Sequence, residues 1–405
     1  MSGITAVPGY VTGICDALRE NGFEAYLVGG CVRDGVMGKE PHDYDLATNA
    51  SPEEVKKALS SYRLIETGIR HGTVTAVTDG GPVEITTYRI DGEYKDNRHP
   101  ESVAFTGDLK LDLMRRDFTV NAMAYDPRGG LVDLFSGREH IEKRLIVCVG
   151  DPDERFDEDG LRVLRALRFA SVLDFEIEEN TAASVRRKAE LLRGISRERV
   201  FSEIKKMLCG QGAGRIAGEF ADVLTVCLVG VTEDGLRRAA RVIGGTDPSP
   251  EERLALLYAA SLTDEAAVIE SVRGLKPSRA EMKEIISTFR VASSPLPETL
   301  PQMRRTVGRE GGRATLGGVR IRGALGDGGA KAALEAAEGV LSRGDCVRVR
   351  DLKIGGDDLI REFGISGERV GQILDELLYL VTEDHVPNEK NALLGSAGKY
   401  YERGK

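Results

Sequence analysis

Leu27-Val28-Gly29-Gly30-Cys31-Val32-Arg33-Asp34, followed closely by Asp43-Tyr44-Asp45, is the stretch on which the reading of this chain turns. Residues 25–30 read as a strand that ends in paired glycines, and residues 42–48 contain a second short strand. Gly29 and Gly30 let backbone N–H groups come close to a phosphate. Arg33 follows within a helical turn and offers a fork of donors to phosphate oxygens. Asp43 and Asp45 are two residues apart, which on a strand points both carboxylates to one face. Two adjacent carboxylates repel unless a hard cation sits between them, and Mg²⁺ favours carboxylate together with phosphate oxygens. A lone pair of this kind also suits an exposed acidic turn. Joined to the glycines and Arg33, it points to metal-assisted phosphoryl or nucleotidyl transfer.

Three further groups extend this reading. If residues 83–88 form a strand, Glu84, Thr86 and Tyr88 share one face. Glu84 then either completes a carboxylate triad or faces solvent. In Arg115-Arg116-Asp117-Phe118-Thr119, Arg116 suits a ribose or phosphate, or else a surface ion pair with the adjacent Asp117. In Glu158-Asp159-Gly160-Leu161-Arg162, continued by Val163-Leu164-Arg165-Ala166-Leu167-Arg168, a helix would set Glu158 and Arg162 at i,i+4 and Asp159 and Arg162 at i,i+3. An acceptor beside a guanidinium fork, with Glu158 holding the arginine, matches the edges of cytosine and adenine but not those of uracil and guanine. Arg165 continues the stripe, and Arg168 lies further round. The same pattern also describes an amphipathic helix with solvated arginines and an acidic first turn.

The 405 residues suffice for two to four domains, with 41% hydrophobic and 30% charged residues typical of a globular chain. No apolar run approaches the roughly 18–20 residues of a membrane helix. The first twenty residues lack a basic start and apolar core, so a cytoplasmic location is expected. Six scattered cysteines without a CxxC pair, and five histidines, argue against a structural zinc site or a disulfide framework. Net charge is −9, yet basic clusters occur at residues 186–188, at 205–206 and across 304–322. A groove needs only a local positive field. There is no P-loop, no GxSxG elbow and no paired-histidine hydrolase motif.

Residues 1–150 read as α/β. Two strands, at residues 73–78 and 83–89, flank Asp79-Gly80-Gly81 as a hairpin, and a polar loop runs from 89 to 109. Beyond 150 the periodicity turns helical, with helices expected over 160–171, 180–192 and 200–208. Breaks fall at 244–252, 293–302 and 326–330. Val370, Ile373, Leu374, Leu377, Leu378 and Val381 mark one face of a late amphipathic helix.

The motifs LVGGCVRD with DYDLATNASPEEV, RRDFTVNAMAYD, GDPDERFDEDGLRVLRALRFA and ERVFSEIKKML together resemble class II tRNA nucleotidyltransferases, the bacterial CCA-adding enzymes and their poly(A) polymerase relatives. They span about half the chain, and LKIGGDDLIREFG and HVPNEKNALL echo the family's tail. The resemblance implies an α+β nucleotidyltransferase palm, a mixed sheet with helices, followed by a long all-α neck, body and tail. The corresponding segments are 1–150 (head), 151–210 (neck with the base-recognition helix), 211–325 (body) and 326–405 (tail, binding tRNA). It further implies two-metal nucleotidyl transfer, with two Mg²⁺ ions on Asp43 and Asp45 and with CTP, ATP and tRNA as substrates. Gly29, Gly30 and Arg33 would meet the phosphates and Arg116 the nucleotide, with Asp117 beside it. Asp159 and Arg162 would read the base, supported by Glu158, and Arg165 and Arg168 would complete the pocket. RIDGEYKDNRHP resembles the flexible segment of full CCA-adding enzymes, which favours CCA addition over CC or A addition or poly(A) synthesis. A retired RNA-binding fold would be expected to lose Asp43, Asp45 or Arg162. A small-molecule nucleotidyltransferase would rarely need the long helical body. The 304–322 cluster would grip the tRNA backbone. Three positions depart from the family pattern: His99, where arginine is usual, Gly160, where alanine is common, and Cys31, which replaces a small residue.

Overall fold

A computed structural model describes residues 7–69, 72–91 and 103–403. They fall into two compact units. One runs to Ile216 and takes in Asp222–Cys227, and the other comprises Ala217–Ala221 and the chain from Leu228 onward.

The first unit opens with α1 (Gly9–Glu20), whose Val11, Ile14, Cys15 and Leu18 recur at helical spacing and are all buried. β1 (Tyr26–Val28) passes through Gly29 into α2 (Gly30–Val36). β2 (Tyr44–Thr48) leads to α3 (Pro52–Ala58), which starts at a capping box between Ser51 and Glu54. Then follow β3 (Arg63–Ile65), β4 (Thr73–Thr78), β5 (Gly81–Thr87), β6 (Arg89–Asp91), β7 (Val103–Phe105), α4 (Leu109–Met114), β8 (Met123–Asp126), β9 (Gly130–Asp133) and α5 (Gly137–Glu142). The main sheet has the order β3-β4-β5-β2-β1-β8-β9. β2 and β5 are parallel and the other neighbours antiparallel, so the sheet is mixed. Leu46, Val74, Val83, Ile85, Met123 and Ala124 are fully buried around it.

The expected hairpin forms, with Thr78 opposite Gly81 and Asp79-Gly80 as its two-residue turn. The first strand is shorter than expected, because Gly30 already begins α2. The ends of the expected loop pair with each other, β6 against β7. Most of RIDGEYKDNRHP, including His99, lies outside the described residues.

The unit continues through α6 (Pro152–Glu158), α7 (Leu161–Leu173), α8 (Glu179–Arg187) and α9 (Arg197–Cys209). The continuous helix expected from Glu158 through Arg162 is broken. Asp159 is extended, at φ −137° and ψ 100°. Its Oδ1 accepts the Leu161 N–H at 3.0 Å, so the carboxylate caps a new helix instead of standing on an old one. Gly160 precedes the first residue of α7, where the helix-interior cost of glycine does not apply. A Cβ there would lie 2.9 Å from the Leu191 Cβ. The helix expected to reach residue 192 ends at Arg187 and gives way to a 3₁₀ segment, Ala189–Gly194.

The second unit is helical. One cluster centres on Met303, Val307, Val319, Ala337 and Val340, another on Leu359, Ile373, Leu377, Leu393 and Ala397. The late amphipathic helix is Glu368–Thr382. The break at 244–252 is narrower than expected, because Pro250 occupies the first turn of a helix. The 304–322 cluster is not an open basic surface. Arg304 pairs with Asp345 and Asp384, Arg305 with Glu383, and Arg309 with Glu310. Arg313 pairs with Glu251, Arg320 with Glu252 and Arg322 with Asp327. Internal carboxylates therefore neutralise much of the field expected to grip RNA. Among the described residues no helix is long and apolar enough to cross a membrane. All six cysteines are free thiols.

Candidate active site

Gly29 adopts φ +75°, a conformation glycine takes without strain. A Cβ added there would lie 3.2 Å from Arg116 Nη1 and 4.0 Å from Asp45 Oδ2. The glycine turn, Arg116 and Asp45 thus converge. Asp43 stands one residue before β2. Buried Tyr44 separates exposed Asp43 from exposed Asp45, so both carboxylates leave one face. Glu84, on parallel β5, is the register partner of Asp45. The Asp45 carboxyl is pushed up to about 6, first by burial, then by the charges of Asp43 and Glu84, with Arg116 offsetting part. Asp45 keeps an exposed edge, so solvent tempers this shift.

Hard, mutually repelling oxygens of this kind suit a divalent cation. Among the described residues no three His, Cys, Asp or Glu side chains stand close enough to hold a metal themselves. Glu84 lies directly across from Asp45 on the neighbouring strand, and its charge reaches the Asp45 carboxyl. A cation held by few carboxylates takes its other oxygens from phosphate and water. The Cys31 thiol donates to Val28 O at 3.2 Å and is pushed up to about 11 by burial, which makes it a packing group.

Arg116 does not pair with Asp117. It meets buried Asp112 at 3.3 Å, and Asp112 also takes Arg115. Among the described residues the buried Arg116 Nε has no hydrogen-bond partner. Asp117 instead accepts Arg165 Nε at 2.8 Å, Asn121 Nδ2 at 3.2 Å and the Phe118 N–H at 2.8 Å. Burial alone would raise the Asp117 carboxyl. Arg165, helped by the other donors, brings it down to about 2. That stabilisation is fully present above the unfolded carboxyl range, near pH 4, and is lost as pH falls through about 2. Asp117→Asn is expected to cost on the order of 2 kcal/mol near neutral pH, because Arg165 keeps a bond but loses its counter-charge. Urea unfolding measures this, and a loss under about 0.5 kcal/mol at pH 7 would remove the buried-pair assignment.

Arg162 is only 7% exposed. Its Nη1 donates to Arg155 O at 2.8 Å and to Glu158 Oε2 at 2.5 Å, and its Nη2 donates to Arg115 O at 3.1 Å. These use three of a guanidinium's five N–H groups. Asp159 Oδ2 accepts Arg199 at 2.9 Å. The open acceptor–donor edge expected on one helix face is therefore a buttressed corner, because the break between α6 and α7 folds Glu158 and Arg155 back over Arg162. Arg165 follows Arg162 one turn along α7, and Arg168 one turn beyond that. They gather with Arg33 around the Phe169 ring, at 5.3, 3.9 and 5.6 Å from its centroid. Arg33 also donates to Asn121 Oδ1 at 2.8 Å, and Arg168 Nε lies 3.1 Å from Glu203. Phe169, Asn121, Arg199, Glu203 and Asp112 had not been singled out. Only Phe169 carries a local signal, the Arg165-x-x-Arg168-Phe169 spacing.

A mixed-sheet palm with a glycine turn and paired aspartates, followed by an arginine-rich helical segment, defines a nucleotidyltransferase. Residues 25–147 match the poly A polymerase head domain, and 174–217 the probable RNA and SrmB-binding site of polymerase A. Residues 249–397 match putative tRNA nucleotidyltransferase domain 2. A CCA-adding enzyme of Ligilactobacillus salivarius is 33% identical over 399 residues, covering 96% of each chain. One of Geobacillus thermodenitrificans is 46% identical over 248 residues, covering 60% of this chain and 61% of that protein. The structure of the Bacillus stearothermophilus CCA-adding enzyme in complex with CTP superimposes with a TM-score of 0.80 at 30% identity, covering 99% of both chains. This chain belongs to the CCA-adding enzyme family of tRNA nucleotidyltransferases.

Proposed function

We propose that this protein adds C, C and then A to tRNA 3′ ends from CTP and ATP, releasing pyrophosphate and using no nucleic-acid template, in the cytoplasm. The observation that carries the reading is the meeting of the Gly29 turn, Arg116 and Asp45 beside Asp43. Asp43 and Asp45 hold Mg²⁺, and their surplus negative charge is the reason a hard cation fits. When bound, that cation supplies Lewis-acid activation of the tRNA 3′-hydroxyl and charge neutralisation at the leaving pyrophosphate. Gly29 and Gly30 admit the triphosphate to the backbone, and Arg33 and Arg116 neutralise it. Arg165 and Arg168, expected from the sequence to complete the base pocket, gather with Arg33 around Phe169, and on that ground we assign them to the triphosphate. Asp117 holds Arg165 and Glu158 holds Arg162. Asp159 and Arg162 present the complementary edge to cytosine and adenine. Glu84, across from Asp45, shares the cation or adds to the negative charge that draws it in. We retain the head, neck, body and tail division at residues 150, 210 and 325, with the tail binding tRNA.

The test is to incubate the protein with tRNA ending at its discriminator base, with CTP and ATP, and to size the product. Three added nucleotides are expected. Two added Cs mean a CC-adding enzyme, a single A on tRNA already ending in CC means an A-adding one, and a long A tail means a poly(A) polymerase. No extension overturns the enzymatic reading.

A further inference from the structure

Three guanidinium groups crowd one aromatic ring. Arg165, Arg168 and Phe169 lie at i, i+3 and i+4 on α7, and so share a face. Arg33 reaches the same ring from α2. All three stand within the roughly 6 Å at which a cation feels a ring's quadrupole. Phe118 meets Phe169 edge-on, at 5.8 Å and 74°, and so fixes its orientation. Each arginine is tethered away from the ring by a single set of groups: Arg33 by Asn121 and Asp34, Arg165 by Asp117, and Arg168 by Glu203.

We propose that Phe169 is the positioning residue of the polyphosphate site, its ring holding Arg33, Arg165 and Arg168 together as a three-pronged clamp before nucleotide arrives. This rests on the reading that these arginines face the triphosphate. Three like charges repel in the empty site. Burial lowers the Arg168 pKa; Glu203 and Asp117 offset part of this, while the charges of Arg165 and Arg33 add to it. Asp34, Asp117 and Glu203 each take up part of that charge and some of the donors, and the negative faces of one ring offset what remains without consuming a further N–H. A further carboxylate at the ring's place would compete with the ligand for the donors that remain. The ring therefore acts on the triphosphate end of every substrate equally, and on the pyrophosphate product, and leaves base choice alone.

The experiment compares Phe169→Leu with a trifluorinated phenylalanine at position 169, which keeps the ring's shape but drains charge from its faces. CTP and ATP incorporation into tRNA lacking its 3′ end is measured, together with inhibition by inorganic pyrophosphate. For Phe169→Leu, the KM of both nucleotides and the pyrophosphate inhibition constant are expected to rise together by about tenfold. The fluorinated variant should give about threefold, with kcat and the preference for CTP over UTP held. A fluorinated variant indistinguishable from the parent overturns the proposal, because the ring would then serve by shape alone. A KM rise without a matching loss of pyrophosphate inhibition overturns it too. Arg168→Gln, run beside them, separates the two readings. If it leaves pyrophosphate inhibition unchanged, the arginines do not hold the polyphosphate. If it weakens inhibition while fluorination does not, only the role of Phe169 fails.

Discussion

Asp45→Asn is expected to abolish nucleotide incorporation while making the metal-free protein harder to unfold. The two effects have one cause. Asp45 stands beside Asp43 and opposite Glu84, and its carboxyl is pushed up to about 6. The folded protein therefore holds the Asp45 proton more tightly than the unfolded chain does, and ionising this group costs stability as pH rises from about 4 through about 6. The amide removes that cost. The gain is complete above about pH 6, fades between 6 and 4, and is absent at lower pH. With an exposed edge on Asp45, solvent screening limits it to the order of 1 kcal/mol. Activity moves the other way, because an amide oxygen cannot neutralise a divalent cation, and the loss should be at least about a thousandfold. Asp43→Ala should lose incorporation equally with its fold intact. Radiolabelled CTP incorporation reads the first effect, and thermal melting in chelator at pH 5 and pH 8 reads the second. Full incorporation by either variant would defeat the cation assignment. A melting temperature lowered at pH 8 would defeat the electrostatic one.

Much of the palm was legible because its signals are local. A strand ending in glycines, an alternation of exposed and buried residues at Asp43-Tyr44-Asp45, and a turn at Asp79-Gly80 each depend on a few neighbouring residues. The amphipathic face at 370–381 was legible for the same reason. What escaped is set by partners distant in sequence. Glu158 and Arg162 do pair as their spacing suggests. The helix break between them is the exception, since Asp159 caps Leu161 only two residues on and the Asp159-Gly160 step carries that signal locally. Arg116 and Asp117, adjacent in sequence, take separate partners, Asp112 and Arg165. Arg199 and Glu203, one turn apart on α9, hold Asp159 and Arg168. The basic run at 304–322 is plain in the sequence, but the carboxylates that neutralise it come from residues as far away as Glu251 and Asp384. Charge runs announce themselves, whereas their counter-ions depend on how the chain folds back.

The corner around Arg162 carries the other large effect. Arg162→Ala removes donors from Arg155 O and Arg115 O and leaves Glu158 with Arg155 alone. Arg155 O thus loses its charged donor and Arg115 O keeps only Arg155, at a cost of about 2–4 kcal/mol. Discrimination should fall as well. A bidentate contact to a base edge is worth about 1–3 kcal/mol, so the preference for CTP and ATP over UTP should drop by roughly ten- to a hundredfold. Loss of stability alone would also lower activity, so the two must be separated. Arg162→Lys does this, because a lysine can still donate to a carbonyl and to Glu158, but its compact ammonium cannot present two fixed, coplanar donors. It should recover most of the stability, read by urea unfolding, and little of the discrimination, read by competing CTP against UTP on one tRNA. If both variants kept the parent's preference, Arg162 would be a structural brace and the edge that selects the base would have to lie elsewhere. If lysine restored preference and stability together, charge alone would be the selecting property, and a planar template edge would not be needed.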